Sequence, residues 1–303
     1  MSKIAITTTT FGEYNKEPLN ILDRNGFQVQ SNPYQRKLRK DEVIKLCKGA
    51  VGIIAGTETL DVDIMETLTT LKVISRCGTG TDNVALVDAE RMGIKVFNTP
   101  DSPTSAVAEL TVGLMINLLR NVSLMEKELR MGQWKKRMGN LLSEKRIGIK
   151  GFGRIGKKVA ELLKPFGCEI AYADPFVEDG LLGLQRLSLK ELLCWADLVT
   201  IHVGVNEKLI GEEEFKCMKD GAIIINTSRG GVVDESALYE NLKNGHLAGA
   251  ALDVFEEEPY SGPLKELGNI ILTPHIGSYA RDTRVEMEEQ AVANLLTGLG
   301  VIE

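Results

Sequence analysis

Short runs of aliphatic and β-branched residues recur along this chain, each separated from the next by a stretch with apolar residues at helical spacing. Runs that are continuously apolar rather than alternating belong to strands buried on both faces, the pattern of a parallel sheet. Strand–helix alternation therefore predicts an α/β fold. The first series places strands over 4–8, 27–30, 51–55, 73–76 and 96–98, with helices near 16–25, 41–47, 61–68 and 83–92. Asn98-Thr99-Pro100 closes that series. One long helix is then predicted over 104–129, where Ala108, Leu110, Leu114 and Leu118 recur at turn spacing. A second series opens at Arg146-Ile147-Gly148-Ile149 and runs to His275, and a last helix follows over 278–299.

Bulk properties narrow the function classes. A length of 303 residues suits two domains, each with its own core. The net charge of −6, with no block of Lys and Arg, argues against nucleic-acid or anionic-membrane partners. No apolar stretch approaches the roughly 20 residues of a membrane helix. Met1-Ser2-Lys3-Ile4 runs straight into a strand, so no signal peptide is expected. The cysteines, Cys47, Cys77, Cys168, Cys194 and Cys217, are odd in number and form no C-x-x-C pair. They fit reduced thiols in a cytoplasmic protein, with neither a disulfide frame nor a metal site.

Gly151-Phe152-Gly153-Arg154-Ile155-Gly156 opens the second series, between a strand ending at Lys150 and a helix beginning at Arg154. That context turns a common glycine pattern into a dinucleotide signature. The first glycine makes the turn, the second admits a pyrophosphate, and the third lets helix and strand pack closely. Helix N–H groups then face the phosphates. The next strand ends in Asp174, at about the spacing at which a carboxylate accepts the adenosine ribose hydroxyls. A carboxylate there repels a 2′-phosphate, which favours NAD over NADP.

Three chemically distinct side chains lie at or just past the ends of later strands. Arg229 follows Ile223-Ile224-Ile225-Asn226-Thr227-Ser228 and precedes Gly230-Gly231. Its guanidinium can grip a carboxylate or carbonyl oxygen through paired hydrogen bonds. His275 follows Ile270-Ile271-Leu272-Thr273-Pro274, and imidazole is suited to exchange a proton near neutral pH. Glu258, beyond Leu252-Asp253-Val254-Phe255, could reach the far ring nitrogen and favour the protonated ring. Glu256 and Glu257 are adjacent, and chemistry alone prefers Glu258 only narrowly. His202, at another strand end, reads as a residue lining the cofactor site, and His246 as part of a surface turn.

These blocks together resemble the D-2-hydroxyacid dehydrogenase family, and most closely its phosphoglycerate dehydrogenase branch. The likeness runs from about Leu71 to Gly277. It includes Ser75-Arg76-Cys77-Gly78-Thr79-Gly80-Thr81-Asp82-Asn83, Val107-Ala108-Glu109-Leu110 and the glycine loop. It continues through Met218-Lys219-Asp220-Gly221-Ala222, Asn226 to Asp234, Ala251 to Phe255 and Thr273-Pro274-His275-Ile276-Gly277. The resemblance implies two Rossmann-like, flavodoxin-like domains with parallel sheets and a cleft between them. It puts the substrate domain at 1–99 plus 277–303 and the NAD-binding domain at 100–276. It makes Arg229, Glu258 and His275 catalytic, which selects Glu258 over its neighbours. It also implies that Gly151, Gly153, Arg154, Ile155, Gly156, Asp174, His202, Thr227, Asp253 and His275 contact the cofactor, Asp253 through the nicotinamide carboxamide. Arg76, Cys77, Gly78, Thr79 and Gly80, with Arg229, would hold the substrate. A homodimer through the nucleotide domain is implied, with Gly132-Gln133-Trp134 in its arm.

Three features depart from the family pattern. Lys150 stands where the family has an apolar residue, Gly204 stands where it has proline, and the loop from Gly204 to Leu209 is short. The chain stops at Glu303, so feedback control by serine through a C-terminal regulatory domain is not expected. The resemblance puts D-3-phosphoglycerate first among substrates, with Arg76, Lys72 and Arg281 as candidates for its phosphate. Glyoxylate, hydroxypyruvate, lactate and longer 2-oxo acids stay open. Formate dehydrogenase chemistry is disfavoured by a Glu beside the histidine. A NAD(H)-sensing corepressor is the alternative from another class.

Overall fold

The computed structural model describes residues 1–302. The chain divides into two compact units, Met1–Pro103 joined by the segment from Ser278 onward, and Thr104–Gly277.

In the first unit the order is β1 (Lys3–Ile6), α1 (Glu17–Arg24), β2 (Gln28–Ser31), α2 (Lys40–Cys47), β3 (Ala50–Ala55), α3 (Val62–Thr67), β4 (Val73–Arg76), α4 (Leu86–Arg91) and β5 (Lys95–Asn98). The strands pair in parallel in the order β2-β1-β3-β4-β5, the flavodoxin-like arrangement. Alternate residues feed two cores. Ile53 and Ile74 pack with Ile64 and Met65 on one face. Ile4, Ile54 and Val73 meet Met287, Ala291 and Leu295 of the C-terminal helix (Arg281–Leu299) on the other. Each such side chain contributes about 1.5–3 kcal/mol when fully buried.

The second unit begins one residue into α5 (Pro103–Arg120), which is followed by α6 (Val122–Arg130). The single helix predicted over 104–129 is thus wrong: the two pieces meet at 63°. Asn121 between them adopts φ 52°, ψ 35°, a left-handed conformation that Asn tolerates better than most residues. The Asn117 side chain then accepts from Ser123 N–H at 2.9 Å and starts the new helix. Hydrophobic spacing continues across this break, which is why periodicity alone misses it.

There follow β6 (Arg146–Lys150), α7 (Arg154–Leu163), β7 (Glu169–Ala173), β8 (Gln185–Arg186), α8 (Leu189–Trp195), β9 (Leu198–Ile201), α9 (Glu212–Cys217), β10 (Ala222–Asn226), α10 (Glu235–Lys243), β11 (Leu247–Leu252) and β12 (Ile270–Leu272). They form one parallel sheet ordered β12-β11-β10-β9-β6-β7-β8. α5 and α7 cover one face through Met115, Val159 and Leu163 against Ile147, Ile149 and Ile225. Leu193, Phe215 and Leu238 of α8–α10 cover the other. Strand order reverses between β6 and β9, and ligands of such sheets bind outside the carboxyl ends at that switch. Among the described residues no single helix is long and apolar enough to cross a membrane.

Candidate active site

Arg229, Glu258 and His275 all belong to the second unit, beyond the carboxyl ends of β10, β11 and β12. Asn226, the last residue of β10, shapes the turn that carries the arginine. Its Oδ1 accepts from Ser228 N–H at 3.0 Å and from Ser228 Oγ at 2.8 Å, and its Nδ2 donates to Arg229 O at 2.8 Å. Thr227 Oγ1 lies 3.0 Å from Thr111 Oγ1 of α5. Gly230 comes next, and its Cα presses on the Phe255 carbonyl so closely that no Cβ fits. That approach joins the end of β10 to the segment after β11.

His275 and Glu258 are in direct contact. His275 Nδ1 lies 2.9 Å from Glu258 Oε2 and 3.1 Å from Oε1. With Nδ1 donating, Nε2 is the nitrogen left to exchange a proton. Glu258 is fixed in turn by Phe255 N–H, 3.2 Å from its Oε1. His275 adopts φ 53°, a left-handed conformation that costs of order 1–2 kcal/mol in a residue with a Cβ. Asp253 holds it there. Its carboxylate, 1% exposed, accepts from Thr273 Oγ1 at 2.6 Å, Ile276 N–H at 2.8 Å and Gly277 N–H at 2.7 Å. Burial raises the Asp253 pKa, and those three donors oppose the rise. The sequence names Asp253 only as a cofactor contact; its anchoring of the histidine loop spans some twenty residues and leaves no local signal.

The glycine loop sits where β6 meets α7. Gly151 has φ 88°, and a Cβ there would strike the His202 carbonyl. At Gly156 a Cβ would strike Gly151 O. Gly153 is different, because a Cβ there would meet nothing within 4 Å. The protein's own packing gives no reason for that glycine, whereas a pyrophosphate lying over the loop does. Among the described residues no side chain caps α7, so its N-terminal turn, at Ile155 and Gly156, can turn N–H groups to phosphate oxygens. Asp174 follows β7, and its Oδ2 accepts from Phe152 N–H at 2.7 Å. These residues fit a dinucleotide.

His202 follows β9 and is buried, with Nε2 2.9 Å from Thr200 Oγ1 and Nδ1 without a partner among the described residues. Burial depresses its pKa from an ordinary 6.5 to about 3. The folded protein keeps it neutral, while the unfolded chain protonates it below about 6.5. Its stabilising contribution is therefore full above that pH. It is lost as pH falls from about 6.5 towards 3, with a slope of up to about 1.4 kcal/mol per pH unit. Thermal melts of wild type and His202→Asn should converge on acidification through this window; a constant gap would contradict the neutral assignment. His246, read as a surface turn, is in fact half-buried, with Nδ1 2.6 Å from Asp220 Oδ1 and Nε2 2.9 Å from Phe215 O. It precedes β11, at the amino edge of the sheet.

In the first unit, Arg76 ends β4, and Cys77 to Gly80 form the following loop. Cys77 N–H donates to Ala55 O at 2.9 Å, and Gly78 N–H to Thr99 Oγ1 at 2.8 Å. Among the described residues, the Thr79 and Gly80 N–H groups are the open donors of the loop. The Cys77 thiol is buried, which pushes its pKa up. The Arg76 guanidinium donates to Cys77 O and, at 3.3 Å, to Asn83 Oδ1. Arg281 opens the C-terminal helix and lies over the Tyr14 ring, 5.4 Å from its centroid. Lys72 precedes β4 and so sits at the opposite edge of the sheet, about a strand length of 13 Å from Arg76. The three proposed phosphate ligands are not one cluster.

A doubly wound sheet with an uncapped helix behind a glycine turn, and a histidine–glutamate pair farther along the same edge, defines a dinucleotide-binding protein equipped for proton transfer. Residues 112–277 match the NAD-binding domain of the D-isomer specific 2-hydroxyacid dehydrogenases, and the chain belongs to that family. It is 34% identical over 301 residues to D-3-phosphoglycerate dehydrogenase of Archaeoglobus fulgidus, covering 95% of this chain but only 56% of that relative. With hydroxypyruvate reductase of Thermotoga maritima the identity is 35% over 295 residues, covering 92% of this chain and 96% of the relative. The crystal structure of the TT0316 protein from Thermus thermophilus superposes with a TM-score of 0.91 at 37% identity, covering 99% and 98% of the two chains.

Proposed function

We propose that this protein interconverts a short D-2-hydroxy acid and its 2-oxo acid with NAD(H). The observation that carries the reading is the Nδ1 contact of His275 with Glu258, held at the same sheet edge as Arg229. Bound NADH supplies the hydride. Arg229 polarises the keto oxygen, His275 Nε2 gives that oxygen its proton, and Glu258 holds the ring in the donating tautomer. In the oxidative direction neutral His275 is the base. The Thr79 and Gly80 N–H groups, beside Arg76, bind the substrate carboxylate.

D-3-phosphoglycerate is the first substrate proposed, with Arg76 and Arg281 as the cations offered to its phosphate. The position of Lys72 at the far edge favours a second, unphosphorylated reading, glyoxylate or hydroxypyruvate. A homodimer is supported by the exposed Leu129, Met131, Trp134, Met138 and Leu141 on and after α6. Five unpaired thiols support a reducing, cytoplasmic setting.

A panel of 2-oxo acids with NADH, followed at the nicotinamide absorbance, tests the reading. Turnover is expected with a two- or three-carbon acid, and preference for 3-phosphohydroxypyruvate over hydroxypyruvate would select the phosphorylated substrate. NADH binding with no turnover on any acid would overturn the enzymatic reading in favour of NAD(H) sensing.

A further inference from the structure

Lys150 has no role in the chemistry above, and its placement asks for one. It is the last residue of β6, immediately before Gly151, at the switch point of the sheet. Register sets it beside Ala173, which precedes Asp174, and beside Ile201, which precedes His202. Strand alternation puts its side chain on the same face as Gly148, whose Cα abuts Leu192 of α8 and Ala196 just beyond that helix. Ala173 and Ile201 point to that face too, since they pack with residues of α8 and α9. The ammonium therefore rises between the ends of β7 and β9, on the flank of the glycine loop that Asp174 occupies.

It is half-buried there and makes no hydrogen bond or ion pair among the described residues, whereas Lys3 and Lys219, also partly buried, find partners. Burial pulls its pKa below the ordinary range for lysine, and Asp174 is the charge that opposes the shift. Leaving an ammonium half-desolvated without a partner costs stability. An apolar side chain would fill the position without that cost.

We propose that Lys150 is a specificity-determining residue that offsets Asp174 and lets the adenosine site accept the 2′-phosphate of NADP(H) as well as the free ribose of NAD(H). This rests on the dinucleotide reading of the glycine loop. A carboxylate after β7 accepts ribose hydroxyls, and a nearby cation is what accommodates a 2′-phosphate. Here both charges stand at the same strand ends. Whether the ammonium touches the phosphate or only neutralises Asp174, removing it acts in one direction: the carboxylate is left to repel the phosphate alone.

The test is calorimetric titration of wild type, Lys150→Met and Lys150→Arg with NADH, NADPH, adenosine 5′-monophosphate and adenosine 2′,5′-bisphosphate. Lys150→Met should weaken the two 2′-phosphorylated ligands about tenfold while the other two stay within about twofold. Lys150→Arg, which keeps the charge, should retain the wild-type pattern. Equal losses for all four ligands, or no change for any, would overturn the proposal. Wild type that binds NADH, with Lys150→Met unchanged towards NADPH, sinks this inference alone. Wild type that binds none of the four sinks the dinucleotide reading with it.

Discussion

Replacing His275 by alanine should lower turnover by about 10²–10⁴-fold while NADH affinity stays within about twofold, because general acid–base catalysis is the contribution removed. The geometry explains why the loss should fall on turnover. The ring is held at Nδ1 by Glu258, at 2.9 Å, and the backbone beneath it by Asp253 through Ile276 and Gly277. Truncation at Cβ leaves those backbone bonds and the glycine loop intact. Steady-state kinetics with the best acid of the panel, together with NADH titration, separate the two effects. Turnover within about tenfold of wild type would remove His275 from its proposed role.

Gly230→Ala should be nearly as damaging without altering any reacting group. A Cβ at Gly230 would overlap the Phe255 carbonyl, a backbone atom that cannot rotate aside. The Phe255–Glu256 backbone must therefore move, and Glu258, tied to Phe255 N–H, moves with it. Overpacking of this kind costs about 1–3 kcal/mol in stability, occasionally more. Displacing a positioned group by about 1 Å costs on the order of 10²-fold in rate. Gly231→Ala is the control. Gly231 has φ 77° but no atom nearer than 3.7 Å to its built Cβ. That variant should lose about 1–2 kcal/mol of stability from backbone strain and keep most of its turnover. Equal activity losses in the two variants would show that the close approach at Gly230 does not position Glu258.

What the sequence makes legible follows from what is local. Ile223 to Ile225 can be read as a strand because burial on both faces excludes polar residues, and Ile270 to Leu272, partly buried at the sheet edge, because its short β-branched run is bounded by Asn269 and Pro274. The spacing of Gly151, Gly153 and Gly156 announces a dinucleotide turn because the three stand within six residues between a strand and a helix, although the contact that excludes a side chain at Gly151 is made by His202, on another strand end. Glu258 can be separated from Glu256 and Glu257 only by resemblance. The contact that distinguishes it is made with His275, on a different strand end. His246 escapes a local reading for a similar reason: its partners Asp220 and Phe215 lie on earlier elements. The break at Asn121 is hidden by an uninterrupted apolar pattern, because one left-handed residue redirects a helix without changing its periodicity. The conformation of His275 is likewise invisible, being imposed by Asp253 rather than by neighbours in the chain.

The C-terminal helix gives the chain an order of assembly. The second unit is one continuous stretch, Thr104–Gly277, and all the strands of its sheet are available once that stretch has left the ribosome. The first unit is translated earlier and completed later. One face of its sheet, with Ile4, Ile6, Ile54 and Val73, is covered by α1 alone, through Leu22, until Met287, Ala291, Val292, Leu295 and Leu296 are made. An open apolar sheet face is the surface through which nascent chains associate. The part of the protein made first is therefore the part exposed longest to aggregation during synthesis. Substitutions that weaken the C-terminal helix should reduce soluble yield before they alter the finished fold.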